Sequence, residues 1–167
     1  RCFKRQGAEM FEAIPHWYQA GVLEILNLDE YQSNAKWFAE KLGISPEDAS
    51  QTIEALIKTG QMKIDKKGRY IRTEHRTTTV GTANGSQIMI QKSTQFLEKQ
   101  IHALNNLPLA EQSCFGLTIA MDPEDLPELR KVILKFLGES QKLLNYRKVK
   151  RSVVFRLNVG AYPLTKK

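Results

Sequence analysis

Cysteine is nearly absent from this 167-residue chain, and the two present, Cys2 and Cys114, stand far apart. Two isolated cysteines build neither a disulfide framework nor a zinc spacing. Cys114 opens an apolar run and is expected to be buried and unpaired. Histidine is as sparse: His16, His75 and His102 are widely separated and lack a partner at ligand spacing, so neither a metal site nor a cofactor is expected. No apolar run is long enough to span a membrane and no signal-peptide pattern opens the chain, which points to a soluble, cytoplasmic protein. Catalytic signatures are missing too. No Ser or Cys sits in a nucleophile turn, no Gly-rich loop follows a strand, and the cluster Asp122, Glu124 and Asp125 is accounted for by helix capping, so the chain is not read as an enzyme. Position 1 is Arg rather than Met, which suggests a fragment or a trimmed chain.

Acidic residues are scarce in particular stretches, and this places the net charge of +7. From 28 to 57 acids prevail, with Asp29, Glu30, Glu40, Glu47, Asp48 and Glu54 against Lys36 and Lys41. From 58 to 76 the balance reverses to Lys58, Lys63, Lys66, Lys67, Arg69, Arg72 and Arg76 against Asp65 and Glu74. From 130 to 156 Glu139 is the only acid among nine bases. A positive field in these two places favours an anionic partner.

The most informative stretch is 34–72. Trp37 or Phe38, Ala39 and Leu42 mark one helix face, Gly43 permits a sharp turn, and Ile44 plugs the angle that follows. Ser45 is a good N-cap with Pro46 at the first helical position, and Ala49, Ile53, Leu56 and Ile57 continue as an apolar stripe. Gly60 ends that helix, and the run from Asp65 to Gly68 turns between two short strands. Helix, turn, helix and a hairpin with a basic tip is the order of a winged helix-turn-helix. A preceding helix from Pro15 to about Leu28, buried through Trp17, Ala20, Leu23 or Val22, Ile25 and Leu26, would support it from behind.

Beyond it, 73–85 is rich in Thr and Gly and reads as a linker, with room for a short strand at 77–80. Ser86 would cap a helix to about Leu107, with Ile90, Leu97, Ile101 and Leu104 on an a/d-like spacing. Residues 114–121 alternate, with Phe115, Leu117, Ile119 and Met121 on one face, as a half-buried strand does. Asp122 and Pro123 start an amphipathic helix to about Tyr146, which carries Arg130, Lys131, Lys135 and Lys142 on its basic face. A second strand, 152–160, would turn Val153, Phe155, Leu157 and Val159 inward and show Val154, Arg156 and Asn158 on its other face. The fold class is therefore α+β: an N-terminal winged helix-turn-helix over 1–75, a linker and connecting helix over 76–110, and a small helix-strand-helix-strand domain over 111–167. Two strands make a marginal sheet, so either the Thr-rich stretch or a second protomer must extend it, and a dimer contact is expected through the helix at 86–107 and these strands.

Four segments carry a resemblance that spans nearly the whole chain from about Phe11: WFAEKLGIS at 37–45, LIKTG at 56–60, LTIAMDPEDL at 117–126 and VFRLNVGAYPLT at 154–165. The chain resembles a family of predicted bacterial transcriptional regulators, abundant as paralogues in predatory deltaproteobacteria and fibrobacters. Its members join a winged helix-turn-helix to a C-terminal domain of unknown function. The resemblance implies a regulator with a further N-terminal region, and brings no catalytic residue, ligand or target sequence with it.

Together these features predict a dimeric, DNA-binding transcriptional regulator that reads duplex DNA. Ser45, Glu47, Asp48, Ser50 and Gln51 are placed to face base edges, and Lys58, Lys63, Lys66, Lys67, Arg69 and Arg72 to meet phosphates or the minor groove. The run Arg147, Lys148, Lys150 and Arg151 is a candidate second anion contact, to flanking DNA or to a phosphorylated effector near Arg156 and Asn158. An acidic recognition helix repels phosphates, which leaves a competing reading: a winged helix that docks a basic protein and binds no DNA.

Overall fold

The computed structural model describes residues 16–73, 87–146 and 149–165. It is broadly α+β, with five α-helices and one two-stranded antiparallel sheet among those residues. Helices α1 (Tyr18–Ile25), α2 (Ala35–Leu42) and α3 (Pro46–Lys58) are followed by strands β1 (Met62–Ile64) and β2 (Tyr70–Arg72). Helices α4 (Gln87–Asn106) and α5 (Leu126–Tyr146) make up the rest. The chain divides into two compact units: Arg1–Glu98 with Lys150–Arg156, and Lys99–Val149 with Leu157–Lys167.

In the first unit local chemistry and packing agree. The Asn34 side chain accepts from the Trp37 amide to start α2, and Gly43 ends it in the left-handed region at φ +63°. Ser45 caps α3 with Pro46 behind it, as the sequence pattern predicts. The core comprises Val22, Leu23 and Ile25 of α1, Phe38 and Ala39 of α2, Ala49, Ile53 and Leu56 of α3, and Met62 of β1. Trp37, Leu42, Ile44 and Ile57 pack partly buried against it. Phe38 is the α2 ring that is fully enclosed, with Trp37 at the rim. Gln19, Thr52 and Gln61 are also buried, which apolar patterning does not reveal. The hairpin pairs Met62 with Arg72, Lys63 with Ile71 and Ile64 with Tyr70. Its second strand is tied down by Tyr31, whose hydroxyl donates to the Tyr70 carbonyl at 2.9 Å, and by Ser33, whose hydroxyl accepts from the Tyr70 amide at 2.8 Å.

The later segments differ from expectation in four respects. Residues 114–121 and 152–160 carry no strand, and their alternating apolar side chains are exposed: Phe115 is 95% accessible and Phe155 79%. Cys114 is exposed rather than buried, as are the apolar side chains of the run it opens. The face assignment of 152–160 is reversed. Val154 packs against the core cluster, the Arg156 guanidinium lies 3.9 Å over the Phe96 ring, and the Asn158 amide donates to Gln100 at 3.1 Å. With the even-numbered residues so engaged, Val153, Phe155, Leu157 and Val159 point away. Helix α4 does the same. Lys92 donates to Gln19 at 2.6 Å and Gln95 accepts from the Trp17 amide at 2.8 Å, while Ile90, Leu97, Ile101 and Leu104 are exposed. The short strand expected at 77–80 and the proposed Ser86 cap lie outside the described residues.

Candidate nucleic-acid interface

The N-terminus of α3 is organised by reciprocal capping. The Asp48 amide donates to the Ser45 hydroxyl at 3.0 Å, and that hydroxyl donates to the Asp48 carboxylate at 2.7 Å. The Ser45 hydrogen bond, with support from the Tyr18 hydroxyl at 3.3 Å, holds the Asp48 carboxyl below the usual aspartate range. Burial, reinforced by this carboxylate, pushes the Tyr18 phenol upward. Glu47 and Asp48 sit in the first turn, where the helix dipole favours negative charge. Local helix chemistry thus accounts for the acids at this end of α3. Gln51 lies one turn on and donates to Glu47 at 3.1 Å, and the Ser50 hydroxyl donates to the Pro46 carbonyl at 2.9 Å. Ser45, Glu47 and Gln51 are exposed, with Asp48 and Ser50 half-buried. All five expected base-facing residues therefore share one helix end, and four of the five hydrogen-bond one another pairwise, Ser45 with Asp48 and Glu47 with Gln51.

The hairpin tip is built around Asp65. Its carboxylate accepts from the amides of Lys67 at 2.8 Å and Arg69 at 2.9 Å, the Asx-turn arrangement, and Gly68 completes the turn at φ +75°. The Arg69 guanidinium closes on the same carboxylate at 2.8 Å. The Arg69 backbone bond leads the causes that hold the Asp65 pKa down. Arg72 is turned inward onto Glu24 at 2.8 Å, its side chain only 14% exposed. Of the six cations assigned to phosphate contact, these two are thus already paired. Lys58, Lys63, Lys66 and Lys67 are exposed and form no ion pair among the described residues. A cleft of about 240 Å³ lies beside the hairpin, lined by Leu26, Asn27, Tyr31, Arg69, Tyr70, Ile71 and Arg72. Both of its cations are the paired ones.

The second candidate anion contact divides. Arg147 and Lys148 lie outside the described residues. Lys150 is bound to Glu30 at 2.5 Å, which raises its pKa and lowers that of the carboxylate. Arg151 is pinned through its backbone: its carbonyl accepts from the Asp29 amide at 3.0 Å, and its amide donates to the Asp29 carboxylate at 2.6 Å. Asp29 and Glu30, which the sequence offers only as part of an acidic stretch, are what fix this run in place. No signal in the sequence couples positions about 120 residues apart.

No group of His, Cys, Asp and Glu among the described residues is arranged to hold a metal ion, and no helix there is long and apolar enough to cross a membrane. No curated protein and no solved structure matches the chain. A family model described as a domain of unknown function, DUF4423, matches residues 3–164, so the chain belongs to the DUF4423 family.

Proposed function

We propose that this protein is a DNA-binding transcriptional regulator in which α1–α3 and the hairpin act as a winged helix-turn-helix, while the C-terminal half serves dimerisation or effector sensing. The observation that carries the reading is the pairing of two surfaces on one small unit: an exposed helix N-terminus behind a tight turn, and a hairpin presenting unpaired lysines. In this reading α3 enters the major groove. Lys63, Lys66 and Lys67 supply backbone attraction, and Lys58 extends it from the end of α3. Arg69 and Arg72 contribute less, because each contact with a phosphate competes with an existing carboxylate partner. Gln51 reads a base only after releasing Glu47, so its contribution is smaller than that of an unengaged glutamine. The protein acts in the cytoplasm.

Fluorescence polarisation with genomic duplex over a salt series tests this. Affinity should fall steeply as salt rises, with a slope of roughly −0.9 per phosphate neutralised. The variant Lys63→Ala/Lys66→Ala/Lys67→Ala should weaken binding to all sequences and flatten that slope by about 2–3. Gln51→Ala should shift the selected-site profile and leave the slope unchanged.

One observation favours a second reading. Asp48 is held anionic, and Glu47 and Glu54 stand exposed on α3. This acidic helix suits a basic protein partner, with no duplex bound. Absence of DNA binding at low salt, in a folded protein, selects that reading.

A further inference from the structure

We propose that Lys92 is a positioning residue for α3 and the hairpin. It acts from α4 through a buried bridge of side-chain hydrogen bonds that ends on the C-terminal carbonyls of α3. Every member of the bridge belongs to the first unit. The consequence for DNA rests on the reading proposed above, whereas the bridge itself does not.

Lysine is among the side chains least often fully buried, yet Lys92 is 3% exposed, and Gln19 and Gln61 are each 2% exposed. Long polar side chains in a core are costly unless they satisfy one another. These are satisfied in series. The Lys92 Nζ donates to Gln19 Oε1 at 2.6 Å, Gln19 Nε2 donates to Gln61 Oε1 at 3.5 Å, and Gln61 Nε2 donates to the Thr59 hydroxyl at 3.0 Å. That hydroxyl donates to the Ala55 carbonyl at 2.8 Å, one of the groups that a helix end leaves without an intrahelical partner. Stability alone does not call for a lysine here, because an apolar side chain of similar length would fill the same space.

What lysine adds is direction. Its amino group donates and the glutamine amide can present either end, so a donor at the head orients every bond that follows. Gln19 turns its oxygen to Lys92, which leaves its NH2 for Gln61. Gln61 then gives its oxygen to Gln19 and its NH2 to Thr59. Without Lys92 both amides lose the group that sets their orientation. A side chain on α4 thus decides which group reaches the end of α3.

Gln61 is also the joint between α3 and the hairpin. Its amide donates to the Leu56 carbonyl at 2.9 Å, closing the last turn of α3, and its carbonyl accepts from the Thr73 amide at 3.1 Å, closing the base of the hairpin. Holding the Gln61 side chain therefore holds the angle between the two elements proposed to meet DNA. Helix α4 is itself fastened beside the bridge. Gln95, one turn beyond Lys92, accepts from the Trp17 amide at 2.8 Å, and the Phe96 ring meets Trp17 edge-on at 6.5 Å. The link between Gln19 and Gln61 is the longest of the series, so the bridge acts on geometry more than on stability.

The test uses the full chain. In the native wild type, acetic anhydride should modify Lys92 about tenfold more slowly than the exposed Lys63, Lys66 and Lys67, and labelling at their rate overturns the proposal. In Lys92→Met, hydrogen exchange at the Gly60, Gln61 and Thr73 amides should quicken about tenfold, while Ile53 and Leu56 in α3 exchange as in the wild type. Gln19→Leu should reproduce that pattern, and Lys92→Met added to Gln61→Leu should change nothing further. Uniform acceleration across the first unit makes Lys92 a structural residue and overturns the proposal, as do unchanged exchange and additive effects. Labelling and Gln19→Leu decide should Lys92→Met fail to fold. With genomic duplex, Lys92→Met should lower affinity about threefold to tenfold and leave the salt slope unchanged, because it removes no phosphate contact. Wild-type affinity alongside quickened exchange overturns the positioning role. A wild type that binds no duplex ends the DNA reading alone, and the bridge then stands or falls on labelling and exchange.

Discussion

Leu56 and Phe136 both belong to apolar stripes at helical spacing, yet Leu56 is fully buried and Phe136 is half exposed. The difference lies in what each helix finds nearby. Around Leu56 three short helices and a hairpin follow one another within about fifty residues, and each covers the face its neighbour leaves open. Around Phe136 the chain offers one long helix flanked by two segments that form no ladder, so Val132, Leu143 and Leu144 stay open with it. An amphipathic pattern tells which face will be covered, and neighbouring elements decide whether the cover comes from the same chain. In residues 16–73 Ile64 is the one large apolar side chain left exposed; the others fall at or after Ile90.

The sharpest way to break this contrast is a cavity on each side. Phe38→Ala removes a fully enclosed ring and should destabilise the first unit by about 3–5 kcal/mol. Phe136→Ala in dilute protein should cost under about 1 kcal/mol, as surface changes do. Both tryptophans, Trp17 and Trp37, lie in the first unit, so urea titration followed by their fluorescence reads that unit directly. Equal losses from the two substitutions would mean that the regions share one core.

Glycines sharpen the contrast next. Gly43 has a positive φ and open space where a Cβ would sit, so Gly43→Ala isolates the backbone cost of the left-handed conformation, about 1–2 kcal/mol. Gly116 also has open space but no positive φ. Gly116→Ala should leave the urea midpoint of the tryptophan signal unchanged. A loss at Gly116 as large as at Gly43 would show that the first unit depends on contacts of 113–121.

What could be read from the sequence divides along the same line. The Ser45 cap, the Pro46 start, the Gly43 turn, the Asp65–Gly68 tip and the Asp122 cap were all legible, because each depends on residues within four positions. For the candidate site residues, the sequence shows where the charges lie along the chain and not which of them are already paired. Arg72 and Lys150 are taken by Glu24 and Glu30, partners 48 and 120 residues away, and no local rule reaches that far. The inward face of 152–160 departs from the alternation pattern for a related reason. Alternation makes the apolar row the default interior, whereas here Phe96, Gln100 and the core cluster recruit the even-numbered residues instead.

Capping provides the third comparison, since the two helix starts use the same chemistry. Ser45 accepts from the Asp48 amide, and Asp122 accepts from the Glu124 amide. Ser45→Ala should lower the stability of the first unit by about 1 kcal/mol, with the loss read by tryptophan fluorescence. Asp122→Ala should reduce helix content by circular dichroism without shifting that fluorescence transition, because α5 buries none of its large apolar residues. If Asp122→Ala moves the tryptophan transition as far as Ser45→Ala, the two helices unfold together and the contrast between regions fails.

The smallest effect belongs to Asp65, and its sign can be checked twice. Backbone bonding to Arg69 leads the contacts that hold its folded pKa below the usual aspartate range, with the Arg69 side chain and the Lys67 amide adding to it. Unfolding removes those partners and restores the ordinary value. With the folded pKa the lower one, the unfolded state binds more protons at acidic pH. The contribution is therefore complete above the unfolded pKa and disappears as pH falls through the folded one. Thermal midpoints of the first unit should drop on acidification through the aspartate range, and Asp65→Asn should make that drop shallower. An identical pH profile in wild type and variant would mean that the tip carboxylate contributes nothing to stability. The same substitution also releases Arg69 from its ion pair and makes the hairpin tip more positive. If the hairpin lies against phosphates, Asp65→Asn should tighten DNA binding modestly and steepen its salt dependence by up to about one ion. A small loss of stability together with a gain in affinity would separate folding from binding at a single residue. Unchanged or weaker binding by the folded variant would take the hairpin tip out of the DNA contact.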